Sequence, residues 1–274
     1  MRAMVVKVAT IVHADQIPIF AMSTSETLAL IRRFAPLDLV LNLDINGGKV
    51  FDTYYQTLCC DEFRDSFDPP KISFPSRDKS KEALRFFLRP ERNLEPEKSL
   101  DPDFELYTNA ARHFMKGRSF FSTNNGHIGL GPKVANPEDE VVVFPGCDSP
   151  MVLRLAENGR YRVVGEYFIY HLSHSEALLG PLPEAYQQIR KTGSGMVYYN
   201  RDTGQAHTID PRPSLFRTEL QENGVREIYV REPEIDAQGK KDEGRAIRIR
   251  TSFSNPESQE CGLMGIDIRP FDLV

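Results

Sequence analysis

The spacing of apolar residues changes near Gly117, and this limits the chain to folds that combine helices with a sheet of short antiparallel strands. After Gly117, Phe120 and Phe121 precede Asn124-Asn125-Gly126, and His127, Ile128 and Leu130 follow, which predicts a hairpin. Strand patterns continue at Glu140 to Phe144, Met151 to Leu155 and Tyr161 to Tyr170, with Asn158-Gly159 joining the last two. Strands this short and this close predict a small antiparallel barrel or sandwich from about Arg118 to Leu179. Before Gly117 the helical period leads. Ser23 and Glu26 have capping-box spacing, and Leu28, Ile31 and Phe34 or Ala35 share one face of a helix that ends before Pro36. Phe51, Tyr54, Tyr55 and Leu58 form a second helical stripe. Asp101 and Pro102 open a third helix, with Phe104, Leu106, Ala110, Ala111 and Phe114 on its apolar face and Lys116-Gly117 at its end. Between them, Leu37 to Ile45 alternates as a strand would, and Asp68 to Asp78, with Pro69, Pro70 and Pro75, reads as loop.

These patterns predict an α+β protein. Its helical N-terminal half (1–116) packs on a small antiparallel β-barrel or sandwich (117–180). A hairpin segment (181–213) and a strand-rich tail (214–274) follow. Within the tail, Asp236 to Gly244 is charged and reads as a flexible loop, and Arg245 to Phe253 reads as a strand.

Charge and cysteine usage narrow the function. Thirty-four Lys+Arg against 39 Asp+Glu leave a net charge of -5, with no large block of one sign, so a general grip on nucleic acid or an anionic membrane is not expected. Cys59, Cys60, Cys147 and Cys261 lack CxxC spacing and read as reduced thiols. The stretch from Met4 to Val12 is interrupted by Lys7 and too short for a signal peptide, and no apolar run is long enough to span a bilayer. The expected location is cytoplasmic.

No motif assigns a catalytic, cofactor-binding or metal-ligating residue, and no cofactor is expected. The glycines of NNGHIGLGPK run GxxGxG, not GxGxxG or GxxxxGK[ST], and suit hairpin turns and close strand packing better than a phosphate. His171, His174 and Glu176 in HLSHSE could converge on a metal, but their spacing matches no zinc motif, and rim histidines are the plainer reading. No GxSxG elbow is present, and Asp139/Glu140 and Asp61/Glu62 read as solvated faces. Arg85-Phe86-Phe87-Leu88-Arg89 reads as a helix with Phe86 or Phe87 facing a core.

Leu182-Pro183-Glu184-Ala185-Tyr186, Val197-Tyr198-Tyr199-Asn200, Thr203 and Asp210-Pro211 resemble a WW domain without its two tryptophans. Tyr186 stands at the first tryptophan position, facing Pro211 in the WW pattern, Tyr198 and Asn200 match the sheet interior, Thr208 stands at the second tryptophan position, and Val197 replaces the groove tyrosine. The resemblance implies a structural hairpin without the usual proline-rich ligand groove.

A wider resemblance runs over about 50–274 and is strongest at 117–180. Arg118, Phe120, Phe121, Thr123, Gly126, Ile128 to Pro132, Asp139, Val141, Val143, Gly146, Pro150, Val152 to Arg154, Gly165 to Tyr167 and Glu176 follow the order R-x-FF-x-T, G-x-IGLGP, GD-x-V-x-V, G-x-x-x-P-x-VLR and VGE-aromatic. This order is similar to the C-terminal region of fungal heterokaryon-incompatibility (HET) proteins. Tyr55 to Leu58 resembles the family's R-T-L helix, and Phe271 to Val274 its usual end. Glu138 and Ser175 stand where the family has glycine. The family's effector domain carries SYxWG and WIDxxCINQ, whereas this chain has no tryptophan. The resemblance therefore implies a truncated family protein, a non-enzymatic recognition, scaffold or regulatory module with a possible protein partner, or an inactive remnant. In the barrel, Gly129 and Gly131 are expected at strand bends, Pro132 and Pro150 at strand edges, and Val141, Val143, Val152 and Val163 in the interior. Arg154 and Glu166 are expected to pair across strands, and Glu166 and Glu176 either meet a partner or order nearby backbone. The opposing expectation is a cytosolic hydrolase or metalloenzyme using His171, His174 and Glu176.

Overall fold

A computed structural model describes residues 2–20, 22–36, 47–89, 101–144, 149–191, 195–212, 216–220, 226–231, 246–250 and 268–273. The expected strand from Leu37 to Ile45 and the expected loop from Asp236 to Gly244 both fall wholly outside these residues. Cys147 and Cys261 lie outside them as well.

The longest strand is the one the periodicity missed. β1 (Arg2–Gln16) is central to a seven-stranded sheet with β3 (Arg118–Thr123), β4 (Ile128–Pro132), β5 (Glu140–Val143), β6 (Met151–Leu155) and β7 (Tyr161–Glu166), in the order β4-β3-β1-β5-β6-β7. β14 (Ile268–Asp272) also pairs with β1. Register shifts at Val8 and Val12 insert one extra residue each, so the alternation that would announce a strand is interrupted twice. Those shifts let β1 lie beside β5 and β14 with its first half and beside β3 with its second. The sheet curls until Leu130 and Phe168 exchange backbone hydrogen bonds of 2.9 and 2.8 Å, joining β4 to the segment that follows β7.

The boundary expected at Gly117 therefore does not divide the molecule. Residues 2–16 are strand and belong to the barrel sheet, so the N-terminal half is not simply helical. Four helices follow β1: α1 (Thr24–Phe34), α2 (Gly47–Leu58), α3 (Arg77–Leu88) and α4 (Pro102–Met115). α1 starts where the Ser23 hydroxyl accepts the Glu26 N–H at 3.2 Å and the Glu26 carboxylate accepts the Ser23 N–H at 2.7 Å. α4 starts with Asp101 accepting the Asp103 N–H and Pro102 in the first turn, and ends at Gly117 with φ +68°.

Alternation along β3 separates two cores. Phe120 faces the helices and stacks on Phe34 at 4.6 Å, in a cluster with Ile31, Tyr54, Leu58, Phe87, Phe104 and Tyr107. Phe121 points the other way, into a barrel interior of Ala9, Ile11, Val141, Val152, Tyr167 and Ile169. A third cluster covers the outer face of β5 and β6, where Val142 and Leu153 meet Val5, Phe271 and Leu273. Val141, Val143 and Val152 are buried as expected, but Val163 is not. An extra residue at Val164 places Val163 opposite the outward Leu153, and Val164 packs toward the interior instead.

Gly129 and Gly131 serve close approach, not bending. A Cβ at Gly129 would lie 2.5 Å from Phe121 Cζ and 2.8 Å from the Phe168 carbonyl oxygen, and one at Gly131 would lie 2.9 Å from Phe121 Cε1. The Phe121 ring occupies the volume that those side chains would need.

Beside the barrel, β8 (Tyr186–Lys191), β9 (Gly195–Asn200) and β10 (Ala206–His207) form an antiparallel meander extended by the parallel β2 (Phe67–Asp68). The chain also forms β11 (Phe216–Leu220), β12 (Arg226–Arg231) and β13 (Ala246–Arg250), a separate antiparallel sheet. Among the described residues, no helix is long and apolar enough to cross a membrane.

Candidate functional site

The residues singled out from sequence do not converge. Arg154 does not meet Glu166, because the β6/β7 register sets Arg162 opposite Arg154 and Met151 opposite Glu166. Glu140 faces Leu153, so Asp139 comes level with Arg154 instead. There Arg154 donates to both carboxylate oxygens of Asp139 at 2.7 and 2.8 Å and to the Val134 carbonyl at 2.6 Å. Asp139 is 2% exposed and also accepts the Asn136 N–H. A fork-shaped guanidinium on a buried carboxylate fixes the loop before β5 against β6. Glu166 is a mostly exposed side chain 3.6 Å from Arg118.

Glu176, in the short helix α5 (Glu176–Leu179), accepts the His174 backbone N–H at 2.7 Å, the backbone-ordering role expected of it as one of two alternatives. His171 turns its ring toward Tyr170, with centroids 3.9 Å apart. Among the described residues, no group of three or more His, Cys, Asp and Glu side chains is placed to hold a metal ion, so His171, His174 and Glu176 are not gathered as a metalloenzyme would require.

A polar seam does form where the helices, the 167–180 segment and the β8–β10 sheet meet. Sequence reading passed over most of its members. Arg77 at the start of α3 bonds Gln56, the Asp61 carboxylate at 2.7 Å and the Ser66 hydroxyl at 3.0 Å, and lies over the Phe63 ring. The other Asp61 oxygen is 3.6 Å from His174 Nε2. The His174 carbonyl accepts from Arg212 at 2.9 Å, and Arg212 also reaches the Gly180 carbonyl and grips Asp210 at 2.6 to 3.1 Å. Asp210 accepts the Tyr198 hydroxyl at 3.1 Å. Arg212 is 2% exposed, an unusual burial for a guanidinium and one that the His174 and Gly180 carbonyls and the Asp210 carboxylate help to offset.

Charge distribution follows this geometry. Burial lowers the tendency of His174 to hold a proton, but Asp61 and Glu176 outweigh it and raise its pKa. Burial likewise opposes the charges of Asp210 and Arg212, yet each stabilises the other: the Asp210 pKa is lowered and that of Arg212 raised. Cys60 borders the seam, but burial pushes its thiol up to about 12, leaving it protonated and a poor nucleophile.

Backbone conformation marks the same place. Cys60, Asp61, His171 and Ser175 have φ of 50, 57, 70 and 67°, the left-handed region that costs non-glycine residues of order 1 kcal/mol or more. Two of these residues lead into the Asp61 side of the seam and two flank His174. Their contacts hold the turns in place, and the seam is the point through which three structural layers are tied. Arg212 was not singled out from sequence; the local signal that could have found it is Asp210-Pro211-Arg212, since Asp followed two residues later by Arg can close an ion pair.

Comparison with known proteins agrees with the barrel. Residues 80–176 match the Het-6 beta-barrel domain. A segment of 67 residues is 39% identical to heterokaryon incompatibility protein 6, OR allele, of Neurospora crassa, covering 23% of this chain and 10% of that protein. No solved structure matches the chain. The matched region contains α4 and β3 to β7, and the structure adds β1 and β14 to its sheet. Over residues 80–176, therefore, the chain is similar to the Het-6 beta-barrel domain, and over 67 residues to part of a heterokaryon incompatibility protein.

Proposed function

We propose that the chain is a non-enzymatic recognition or scaffold module acting in fungal heterokaryon incompatibility. One observation carries this reading: Arg154, Gly129, Gly131 and Glu176 of the family-like motif are spent on holding shape. Arg154 is used by Asp139, Gly129 and Gly131 by the Phe121 ring, and Glu176 by the His174 backbone. On this reading the effector chemistry comes from a partner domain, and the module supplies a surface.

The β8–β10 sheet fits the same reading as a structural hairpin. Val197, at the groove position, is buried, and Tyr198 is tied to Asp210, so no aromatic slot for a polyproline helix is built there. One panel on purified chain tests the proposal: metal analysis, then titration with a proline-rich peptide. The expected results are substoichiometric metal and no saturable binding. Stoichiometric zinc or iron, lost on replacing His171 and His174 by Ala, would favour the hydrolase or metalloenzyme. Micromolar peptide binding lost in Thr208→Ala would restore a proline-binding role.

A further inference from the structure

We infer that the loop before α1 and the last turns of α4 form a docking surface for a partner segment that combines carboxylates with a large apolar side chain. The inference rests on the scaffold reading and names its partner chemistry. Pro18 is pinned by the Gly117 N–H on its carbonyl at 3.1 Å, and the buried Ile17 donates its N–H to the Arg118 carbonyl at 2.8 Å. Ile19 lies over Gly117 so closely that a Cβ there would stand 2.9 Å from Ile19 Cγ1. The loop is thus fixed at its base while Ile19 is 53% and Phe20 80% exposed. A pinned loop that presents a phenylalanine to water has already lost the freedom that binding would otherwise cost.

Next to it lies a cleft of about 510 Å³ lined by Met22, Asn109, Arg112, His113 and Lys116. Among the described residues its lining carries no carboxylate, although the chain as a whole is at -5. Arg112 is aimed by bonds to the Met22 carbonyl and to Asn109 Oδ1 at 3.3 and 2.7 Å, which leave part of its fork free. Basic residues in a last helical turn also complement the helix dipole. That role explains neither the exposed Phe20 nor the grouping of Phe, Met and Arg, the residue types enriched in protein interfaces. The cations select acidic groups, and the exposed Phe20, two residues before the Met22 that walls the cleft, offers the apolar contact beside them.

Fluorescence polarisation of the labelled hexapeptide Glu-Glu-Leu-Phe-Glu-Glu against the whole chain tests this. Saturable binding that weakens with salt is expected, reduced about 10-fold by Phe20→Ser and by a smaller factor in Lys116→Glu. Both positions are exposed, so the fold is retained, and circular dichroism confirms it. Equal binding of Lys-Lys-Leu-Phe-Lys-Lys, indifference to both substitutions, or no binding would overturn the surface while leaving the scaffold reading to its own tests. Co-sedimentation with phosphatidylserine vesicles that the peptide does not compete would assign the patch to lipid and also overturn it.

Discussion

Phe121 in the barrel is enclosed by two glycines and by carbon atoms of Ile169 and Tyr167, whereas Tyr198 in the neighbouring sheet is held through its hydroxyl on Asp210 and by Arg212 beyond it. Both sheets are built mainly of antiparallel strands, yet at these two residues one relies on steric fit and the other on charged hydrogen bonds. Steric fit tolerates no added volume and is indifferent to pH. Charged hydrogen bonds tolerate modest shape changes but fail when one partner is removed or changes protonation.

The largest effect that would test this contrast comes from Gly129→Val. The new side chain must enter space taken by Phe121, Ile169 and the Phe168 carbonyl, so destabilisation of at least about 3 kcal/mol is expected. Urea unfolding followed by near-ultraviolet circular dichroism reads it, and a variant as stable as the parent would show that the barrel is not tightly closed. Arg212→Met is expected to cost less, about 2 kcal/mol, because Asp210 is left partly solvated. Its effect should be regional: amide exchange should rise in β8 to β10 and at 174–180 while β3 to β6 stay protected. Uniform loss of protection would mean that the two regions fold as one unit.

The smallest effect is the most diagnostic of the polar seam. His174 has a raised pKa in the folded chain, so its contribution is fully present below the ordinary imidazole value near 6.5 and is lost as pH rises through the folded value. Melting temperatures compared below and above that window should fall with rising pH more in the parent than in His174→Gln. Identical pH profiles would remove the Asp61–His174 contact from the forces holding the seam.

Legibility followed the range of the interactions. Capping at Ser23 and Asp101, the α2 stripe and the β3–β4 hairpin all depend on residues within a few positions of one another, and each was visible in sequence. The Val163 side was misread because a single extra residue in β7 reverses the alternation, and bulges have no reliable local signature. Asp139 was taken for a solvated face, yet it is buried against Arg154, since only the β5/β6 register brings the two side chains level. The Arg77–Asp61–His174–Arg212 seam joins residues from four separated stretches, and no spacing rule connects them.

From its sequence alone this chain was determined to be α+β, to carry short antiparallel strands after Gly117 and to have a family-like barrel motif, because periodicity, caps and turn residues act locally. Only the tertiary structure decided that Arg2–Gln16 is a central strand of that barrel sheet, that Arg154 belongs to Asp139, and that His174 faces Asp61. Those choices depend on strand register and on which buried charges can be paired, and both are settled only when distant segments compete for the same space and the same hydrogen bonds.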